Sequence, residues 1–139
     1  MTVRPNLLVN IDVPDLKRGV DFYTEALGLR IGRRIGPGAV ELLGMDAPIY
    51  LLQQPDGSSP LPAARAHRDY ARHWTPVHLD FVVEAIVPAY ARALAAGAVA
   101  ESEVREAPYG RIALLADPFG HGICLIEFNA KGYDAIPPL

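Results

Sequence analysis

The stretch VNIDVPDLKRGVDFYTEALG, residues 9–28, is the most informative part of the chain because its design recurs at 77–97. In each copy a short alternating run, VNIDV or VHLDF, precedes a thirteen-residue span that ends in glycine (28 − 15 = 97 − 84). Alternation of polar and apolar residues is typical of a β-strand with one buried face. The repeat therefore predicts two copies of one βα unit, each with polar side chains on the same face.

The first copy extends into a complete module. Asp15 is a good helix N-cap, and the apolar residues that follow recur at helical spacing until Gly28, which predicts a helix over 15–27. The strands that we expect around this helix cover 6–13, 29–35, 39–43 and 48–54. The resulting βαβββ module spans residues 6–54.

The second copy extends in the same way over residues 76–129. Its predicted strands cover 76–83, 99–105, 110–116 and 122–129, around a helix over 84–96. We expect the buried face of this helix to consist of Ile86, Ala91, Leu94 and Ala95. Asp117-Pro118-Phe119-Gly120 fits a type I turn and joins the last two strands into a hairpin.

Two segments lie outside the modules, and we interpret the whole chain, 1–139, as one domain. We interpret residues 55–75 as a linker, because 55–62 consist almost entirely of turn-forming residues. Within this linker, residues 63–74 are compatible with a short helix. We expect the tail, 130–139, to be an extended arm or disordered.

Composition narrows the function classes. With 139 residues the chain is long enough for one compact core, and its apolar runs are shorter than the roughly 18 residues of a membrane span. A net charge of −3 argues against nucleic acid as a partner. A single cysteine excludes an internal disulfide and a Cys-rich zinc site. The N-terminus shows no secretory signal pattern, so we expect a cytoplasmic protein without membrane association.

Two motifs resemble the vicinal oxygen chelate superfamily, which includes glyoxalase I, bleomycin-resistance proteins, fosfomycin-resistance proteins and extradiol dioxygenases. They are Val13-Pro14-Asp15-Leu16 leading to Phe22-Tyr23 and Leu27-Gly28, and Asp117-Pro118-Phe119-Gly120-His121 leading to Cys124-Leu125-Ile126-Glu127-Phe128. The resemblance covers residues 6–129. It implies an α+β glyoxalase/bleomycin-resistance fold, with two βαβββ modules forming curved mixed sheets around a cleft. It also implies a homodimer that binds a small-molecule ligand or a metal in that cleft.

The resemblance implies four metal-ligand positions, on the first and last strands of each module. In this chain those positions hold Leu8, the run Leu51-Leu52-Gln53, His78 and Cys124. Only His78 matches the family pattern, and one imidazole cannot form a divalent metal site alone. The sequence therefore favours an incomplete metal site, although His78 could recruit Asp12, Asp80 or Cys124 into an atypical set. The cofactor is left undetermined.

His78 is the candidate catalytic residue, as a proton donor, proton acceptor or hydrogen-bonding group. The candidate ligand-binding residues are Asn10, Asp12, His78, Asp80 and Cys124. The polar residues among them alternate with apolar residues that should meet the helices, which places them on the concave side of the sheets. The alternatives are a structural histidine, a solvated sheet face for Asn10, Asp12 and Asp80, and a buried, unreactive thiol for Cys124.

The function that we predict is binding of a small organic molecule in the cleft between the modules, as in glyoxalase and bleomycin-resistance proteins. The alternative is a metal-dependent enzyme, either a glyoxalase-like lyase or an extradiol-type dioxygenase, with an atypical ligand set centred on His78. A purely structural dimer with a collapsed cleft is a third option. The sequence does not identify the ligand. It is also compatible with two arrangements, in which the modules pair within one chain or with those of a partner chain.

Three arginines of the linker, Arg65, Arg68 and Arg72, would lie on one side of the optional helix. We expect a solvated charged face there. A lid that offers guanidinium groups to an anionic ligand is the alternative.

Overall fold

The computed structural model describes residues 4–139, which form two compact units. The first unit ends at Tyr70 and the second begins at Ala71, so the division falls inside the segment 55–75. Each unit contains one mixed β-sheet, and the predicted α+β fold with curved mixed sheets is confirmed. The module boundaries at 6–54 and 76–129 stay predictions. Among the described residues, neither α-helix has the length and apolar character needed to cross a membrane.

The first unit contains one helix and four strands in the predicted order. The elements are β1 (Val9–Val13), α1 (Leu16–Leu27), β2 (Arg30–Arg34), β3 (Ala39–Leu43) and β4 (Ile49–Gln53). The strand order is β1-β4-β3-β2, with β1 parallel to β4 and the other pairs antiparallel. The parallel pair requires a crossover, which α1, β2 and β3 provide.

Local signals define both ends of α1, as the sequence predicts. The Asp15 carboxylate accepts a hydrogen bond from Arg18 N at 3.1 Å, and Gly28 adopts the left-handed conformation at φ 68°. The face that packs on the sheet includes Phe22 and Tyr23, which are almost fully buried. Gly19 lies on the same face, where an added Cβ would be 3.1 Å from Val13, so glycine allows the helix to approach the sheet closely.

A buried carboxylate stabilises the outer part of the first sheet. Glu41 on β3 is only 3% exposed. It accepts hydrogen bonds from the Tyr50 hydroxyl at 2.7 Å and from Arg33 through both its backbone N and its guanidinium, each at 3.1 Å. These bonds lower the pKa of Glu41, the Tyr50 hydroxyl contributing most, and raise the pKa of Tyr50. An added Cβ at Gly32 would lie 2.5 Å from Glu41 Oε1, so the carboxylate occupies space that only glycine leaves open.

The second unit repeats the design with one more strand. Its elements are β5 (Leu79–Val82), α2 (Ile86–Ala96), β6 (Val99–Ala100), β7 (Arg105–Ala107), β8 (Gly110–Ala116), β9 (Gly122–Phe128) and a 3-10 helix (Gly132–Ala135). The order is β5-β9-β8-β6, and β7 also pairs with β8. The predicted strand at 99–105 is therefore two short strands. Only β5 and β9 are parallel.

The predicted buried face of α2 is wrong except at its first residue. The buried residues are Ile86, Ala89 and Ala93, whereas Leu94 is 37% exposed. These three positions follow the three- and four-residue spacing of one helix face, and the small alanines let the backbone lie close to the sheet. Hydrophobicity alone favoured Leu94, but contact with β8 and β9 sets the rotation of the helix.

Glu84 does not begin α2 in the way that Asp15 begins α1. The N-cap position is Ala85, whose side chain carries no acceptor, and Pro88 in the first turn has no N–H. The Glu127 carboxylate, distant in sequence, accepts a hydrogen bond from Ile86 N at 2.7 Å instead. A tertiary contact thus replaces the local cap.

The optional helix at 63–74 does not form. Gly57 N donates to Arg68 O at 2.7 Å, and Arg68 N donates to Ser58 O at 2.9 Å, which closes the segment into a loop. The tail also differs from an extended or disordered arm, because it forms the 3-10 helix and Tyr133 contacts two other rings. The ring centroids of Phe128 and Tyr109 lie 4.9 Å and 5.2 Å from that of Tyr133.

The predicted turn before β9 is confirmed. Gly120 N donates to Asp117 O at 3.3 Å, and the buried Asp117 carboxylate accepts from the backbone N of Phe119 and of His121. His121, the residue after this turn, is half-buried, and its Nδ1 lies 3.0 Å from Nε2 of His73.

Candidate functional site

The candidate site residues fall into two groups. Asn10 and Asp12 lie on β1 of the first unit, whereas His78, Asp80 and Cys124 lie together in the second unit. The ligating atoms of the last three residues are all within 4.8 Å of one another. The second unit therefore contains the cluster of side chains best suited to chemistry.

The two candidates of the first unit occupy the more exposed face of β1, opposite the buried Ile11 and Val13. The Asp12 carboxylate accepts a hydrogen bond from Arg68 Nε at 2.8 Å. The Arg68 guanidinium also donates to Ser58 Oγ and Ser59 O, at 3.1 Å and 3.0 Å. Asp12 therefore holds the loop against the first unit through a guanidinium that is only 17% exposed.

Strand register brings the cluster of the second unit together. In the parallel pair of β5 with β9, Asp80 is the partner of Cys124 and Phe81 is the partner of Leu125. Phe81 and Leu125 are buried on the face opposite Asp80 and Cys124, since successive side chains alternate. His78 lies two residues before Asp80, and its Nε2 is 3.1 Å from Asp80 Oδ1.

The chemistry of Cys124 follows from its surroundings. The residue is 4% exposed, and the thiol donates a hydrogen bond to Asp80. Burial raises the pKa of the thiol to about 12, and the hydrogen bond and negative charge of Asp80 act in the same direction. The thiol is therefore protonated near neutral pH, which agrees with the expectation of an unreactive thiol rather than a nucleophile.

A pocket of about 300 Å³ lies in the second unit beside this cluster. This volume is at the lower end of the range for small-molecule sites. Its polar lining residues are Arg72, Thr75, His78 and Glu101, and its other lining residues are Trp74, Leu114, Leu115, Gly122, Ile123 and Cys124. The pocket thus combines an apolar wall with a few polar groups.

Arg72 and Glu101 form a two-point ion pair at the pocket. Arg72 Nε lies 2.6 Å from Glu101 Oε2, and Arg72 Nη2 lies 2.9 Å from Glu101 Oε1. The hydrogen bond with Arg72 lowers the pKa of Glu101. The guanidinium lies over Gly122, where an added Cβ would be 2.7 Å from Nη2, and it also donates to the carbonyls of His73 and Gly120. These contacts fix the pocket wall formed by residues 72–75.

The expectation of a solvated arginine face is wrong for Arg68, whose side chain is only 17% exposed, whereas the Arg72 side chain is 41% exposed. Each guanidinium binds a carboxylate of its own unit, Asp12 or Glu101, while Arg65 is exposed. The lid hypothesis lacks the helix that would align these residues. The sequence identifies Arg72 as a charged residue but gives no signal for its pairing with Glu101, because the two residues are 29 positions apart.

The four positions that hold metal ligands in the family carry different side chains in this protein. Leu8 and Leu51 have hydrocarbon side chains without a ligand atom, and Gln53 Oε1 accepts a hydrogen bond from Leu16 N at 2.9 Å. Glu127 faces away from the cluster, as alternation predicts, because it binds Ile86 N and Arg111 Nη2. His78 and Cys124 remain, with Asp80 as the additional neighbour.

Comparison with known proteins places this architecture in context. Residues 8–126 match the family model described as a glyoxalase-like domain. No curated protein matches the chain.

Several solved structures share the fold. A glyoxalase-related enzyme from Fulvimarina pelagi has 18% identity and a TM-score of 0.70, over 94% of this chain and 96% of that one. A genomically encoded fosfomycin resistance protein from Listeria monocytogenes has 14% identity and a TM-score of 0.67, over 94% and 98%. A glyoxalase/bleomycin resistance protein/dioxygenase family enzyme from Burkholderia phytofirmans has 19% identity and a TM-score of 0.68, over 88% and 97%. At these identities the similarity shows the fold alone.

Proposed function

Because the chain belongs to the glyoxalase-like domain family, we propose that the pocket of its second unit binds a small organic molecule. The observation that carries this proposal is the pocket of about 300 Å³ with His78 and Cys124 among its lining residues. Ligand sites typically combine an apolar wall with a few polar groups that set the orientation of the ligand. The lining of this pocket has that composition.

His78 is the residue that we assign to ligand recognition. Asp80 binds its Nε2 and so orients the imidazole ring. Within residues 4–139, Nδ1 of His78 has no hydrogen-bond partner, and the side chain is 56% exposed. Because the Asp80 carboxylate accepts from Nε2, Nδ1 of the neutral ring is an acceptor and is available to a hydroxyl group of a ligand. Ligand binding by Asn10 and Asp12 of the first unit stays a prediction.

Mass spectrometry of the native protein tests this proposal. Protein purified from a bacterial lysate should retain a small molecule, which is then released, identified and titrated back by calorimetry. His78→Ala should weaken its binding by about tenfold, the typical effect of losing one hydrogen bond to a buried ligand group. His67→Ala, which removes an exposed histidine of the first unit, is the matched control and should bind like the wild type. Equal affinity of the two variants would contradict the role of His78.

A metal-dependent enzyme is the second candidate, and the cluster of His78, Asp80 and Cys124 favours it. The three side chains offer one nitrogen, one oxygen and one sulfur atom, a set that suits Zn²⁺. The separation of 3.1 Å between His78 Nε2 and Asp80 Oδ1 is close to that of two ligands on one ion. An extradiol-type iron site would need a second histidine in place of the thiol, so these residues fit a glyoxalase-like lyase better than a dioxygenase.

In this second candidate, the ion would act as a Lewis acid on vicinal oxygens of the substrate. His78 would bind the ion through an unprotonated ring nitrogen and Asp80 through a carboxylate oxygen, whereas Cys124 would have to release the proton that it donates to Asp80. Metal loading should therefore release protons. The apolar wall of the pocket would exclude water from the substrate.

Metal content separates the two candidates. Protein purified without chelators should contain about one divalent ion per chain if the enzyme hypothesis is right, and only traces if the pocket binds organic molecules alone. Cobalt(II) reconstitution gives a second readout, because a thiolate ligand produces a charge-transfer band in the near ultraviolet. Cys124→Ser should abolish this band. Trace metal together with the absence of the band would contradict the enzyme hypothesis.

Two broader assignments stay proposals. Members of this family often form dimers, which supports a homodimer. The cytoplasmic location stays a prediction. Light scattering of the purified protein tests the first, with twice the monomer mass as the expected result. Fractionation of the source cells tests the second.

A further inference from the structure

Trp74 is the only tryptophan of the chain, and it lines the pocket with 80% of its surface exposed. A single exposed apolar residue is ordinary on a protein surface. This one is distinctive because it borders a pocket that the proposed function assigns to a ligand. Burial of a tryptophan ring by a ligand would contribute substantially to binding.

The backbone on both sides of Trp74 is held in place. Arg72 binds Glu101, and His73 N donates to Gly120 O at 3.2 Å. After Trp74, Thr75 Oγ1 donates to Val77 O at 2.5 Å. The backbone that carries the indole is therefore held in place before a ligand arrives, which lowers the entropic cost of ordering this segment on binding.

Aliphatic side chains form the rest of the apolar wall. Leu114, Leu115 and Ile123 line the pocket, and Leu115 and Ile123 are almost fully buried in the core of the second unit. A wall of buried aliphatic residues together with one aromatic ring suits a flat apolar molecule. An aromatic ligand gains more from stacking on the indole than a saturated ligand of the same size.

The charged groups at the pocket already have partners. Arg72 is paired with Glu101, and Asp80 carries a negative charge beside His78. A charged ligand would lose hydration without gaining an unpaired charged partner among the lining residues.

From these features we propose that the pocket takes an uncharged planar aromatic molecule with a hydroxyl group. The ring stacks on Trp74 and the polar group reaches Nδ1 of His78. This inference rests on the proposed function, because it assigns a ligand class to the same pocket.

Calorimetry with three matched compounds near pH 7 tests the ligand class. The compounds are 2-naphthol, its saturated counterpart decahydro-2-naphthol, and the anion 2-naphthoate. We expect 2-naphthol to bind at least threefold more tightly than either of the others. In nuclear magnetic resonance spectra, the one indole N–H signal of the protein should shift with 2-naphthol. Tighter binding of 2-naphthoate or of the saturated alcohol would overturn the proposal, and so would no binding of any compound.

Variants of Trp74 separate stacking from simple hydrophobicity. Trp74→Phe keeps an aromatic face and should retain most of the affinity for 2-naphthol, whereas Trp74→Leu should bind about three- to tenfold more weakly than Trp74→Phe. Val87→Ala, which shortens an exposed residue of α2 outside the pocket lining, is the control and should bind normally. Equal affinities of Trp74→Leu and Trp74→Phe would overturn the stacking role. If the natural ligand found by mass spectrometry binds equally well to both variants, only this inference fails and the proposed function stands.

Discussion

Asp80 and Cys124 are direct partners in the parallel pairing of β5 with β9, and the thiol donates a hydrogen bond to the carboxylate. This hydrogen bond lies on the same face of the second sheet as His78. Burial and the negative charge together disfavour the thiolate, which raises the pKa of Cys124 to about 12. The stability of the protein should depend on pH through this thiol.

The first prediction concerns alkaline pH. The thiol of the unfolded chain ionises near its ordinary pKa of 9.0, while the folded chain keeps the proton until about 12. The contribution of Cys124 is thus complete below pH 9 and is lost as the pH rises toward 12. Near pH 10, the free energy of unfolding should have fallen by about 1 kcal/mol from this source. Urea unfolding of wild type and Cys124→Ala measures the effect, and identical slopes against pH would contradict it.

The second prediction concerns the start of α2. Glu127→Gln removes the charge that accepts from Ile86 N and pairs with Arg111, and the variant should unfold at a lower temperature at neutral pH. These contacts lower the pKa of Glu127, the bond from Ile86 N contributing most, so their stabilisation is present above the ordinary carboxyl pKa and is lost as the pH falls. The difference from wild type should therefore shrink in acid. Thermal unfolding across pH provides the measurement.

A compensating variant supplies the control for this prediction. Ala85 has the extended backbone of an N-cap, with φ −137° and ψ 107°. Ala85→Asp can accept from Val87 N and should restore roughly 0.5–1 kcal/mol to the Glu127→Gln variant. A pH-independent loss in Glu127→Gln, with no rescue by Ala85→Asp, would indicate that Glu127 acts only by packing.

The third prediction contrasts two glycines. Gly110 begins β8 at φ 145°, and an added Cβ would lie 1.9 Å from the backbone oxygen of Glu127. Gly110→Ala should therefore destabilise the protein by about 3 kcal/mol or prevent folding. A Cβ at Gly38 would meet nothing within 4 Å, so Gly38→Ala should be nearly neutral. Chemical denaturation measures the free energy of unfolding of both variants and so tests this contrast. A small loss of stability in Gly110→Ala would show that β8 and β9 can separate there.

The fourth prediction concerns acid stability of the first unit. Tyr50→Phe removes the largest cause of the lowered pKa of Glu41. The stabilisation linked to that lowered pKa is complete above the ordinary carboxyl pKa and disappears as the pH falls through the folded value. The difference in free energy of unfolding between the wild type and Tyr50→Phe should thus be largest at neutral pH and smallest in acid. Tyr90→Phe, which removes a hydroxyl that donates to the uncharged Ser102 O, should show a loss that does not vary with pH.

Much of the fold could be predicted because its signals are local. The N-cap Asp15 and the glycine at 28 define α1, and the Asp117 turn defines the last hairpin. The errors occur where distant contacts overrule local preference. Glu127, which lies on β9, accepts the hydrogen bond that caps α2. Arg68 binds Ser58 and Asp12, and its segment forms a loop where a helix was an alternative.

The candidate site could be predicted only in part for the same reason. Residue type and strand alternation single out His78 and Asp80, but their proximity to Cys124 depends on the register between β5 and β9. The pairing of Arg72 with Glu101 depends on the path of the chain over Gly122. Neither relationship has a local sequence signature.

Strand β2 has a consequence for how the protein behaves at high concentration. It lies at one end of the first sheet, all five of its residues are exposed, and three of them, Arg30, Arg33 and Arg34, carry positive charge. An open strand edge invites another polypeptide to hydrogen-bond to it, and clustered cations repel an incoming copy of the same edge. The arginines should therefore disfavour edge-to-edge self-association of the first unit, and their replacement by valine should promote it.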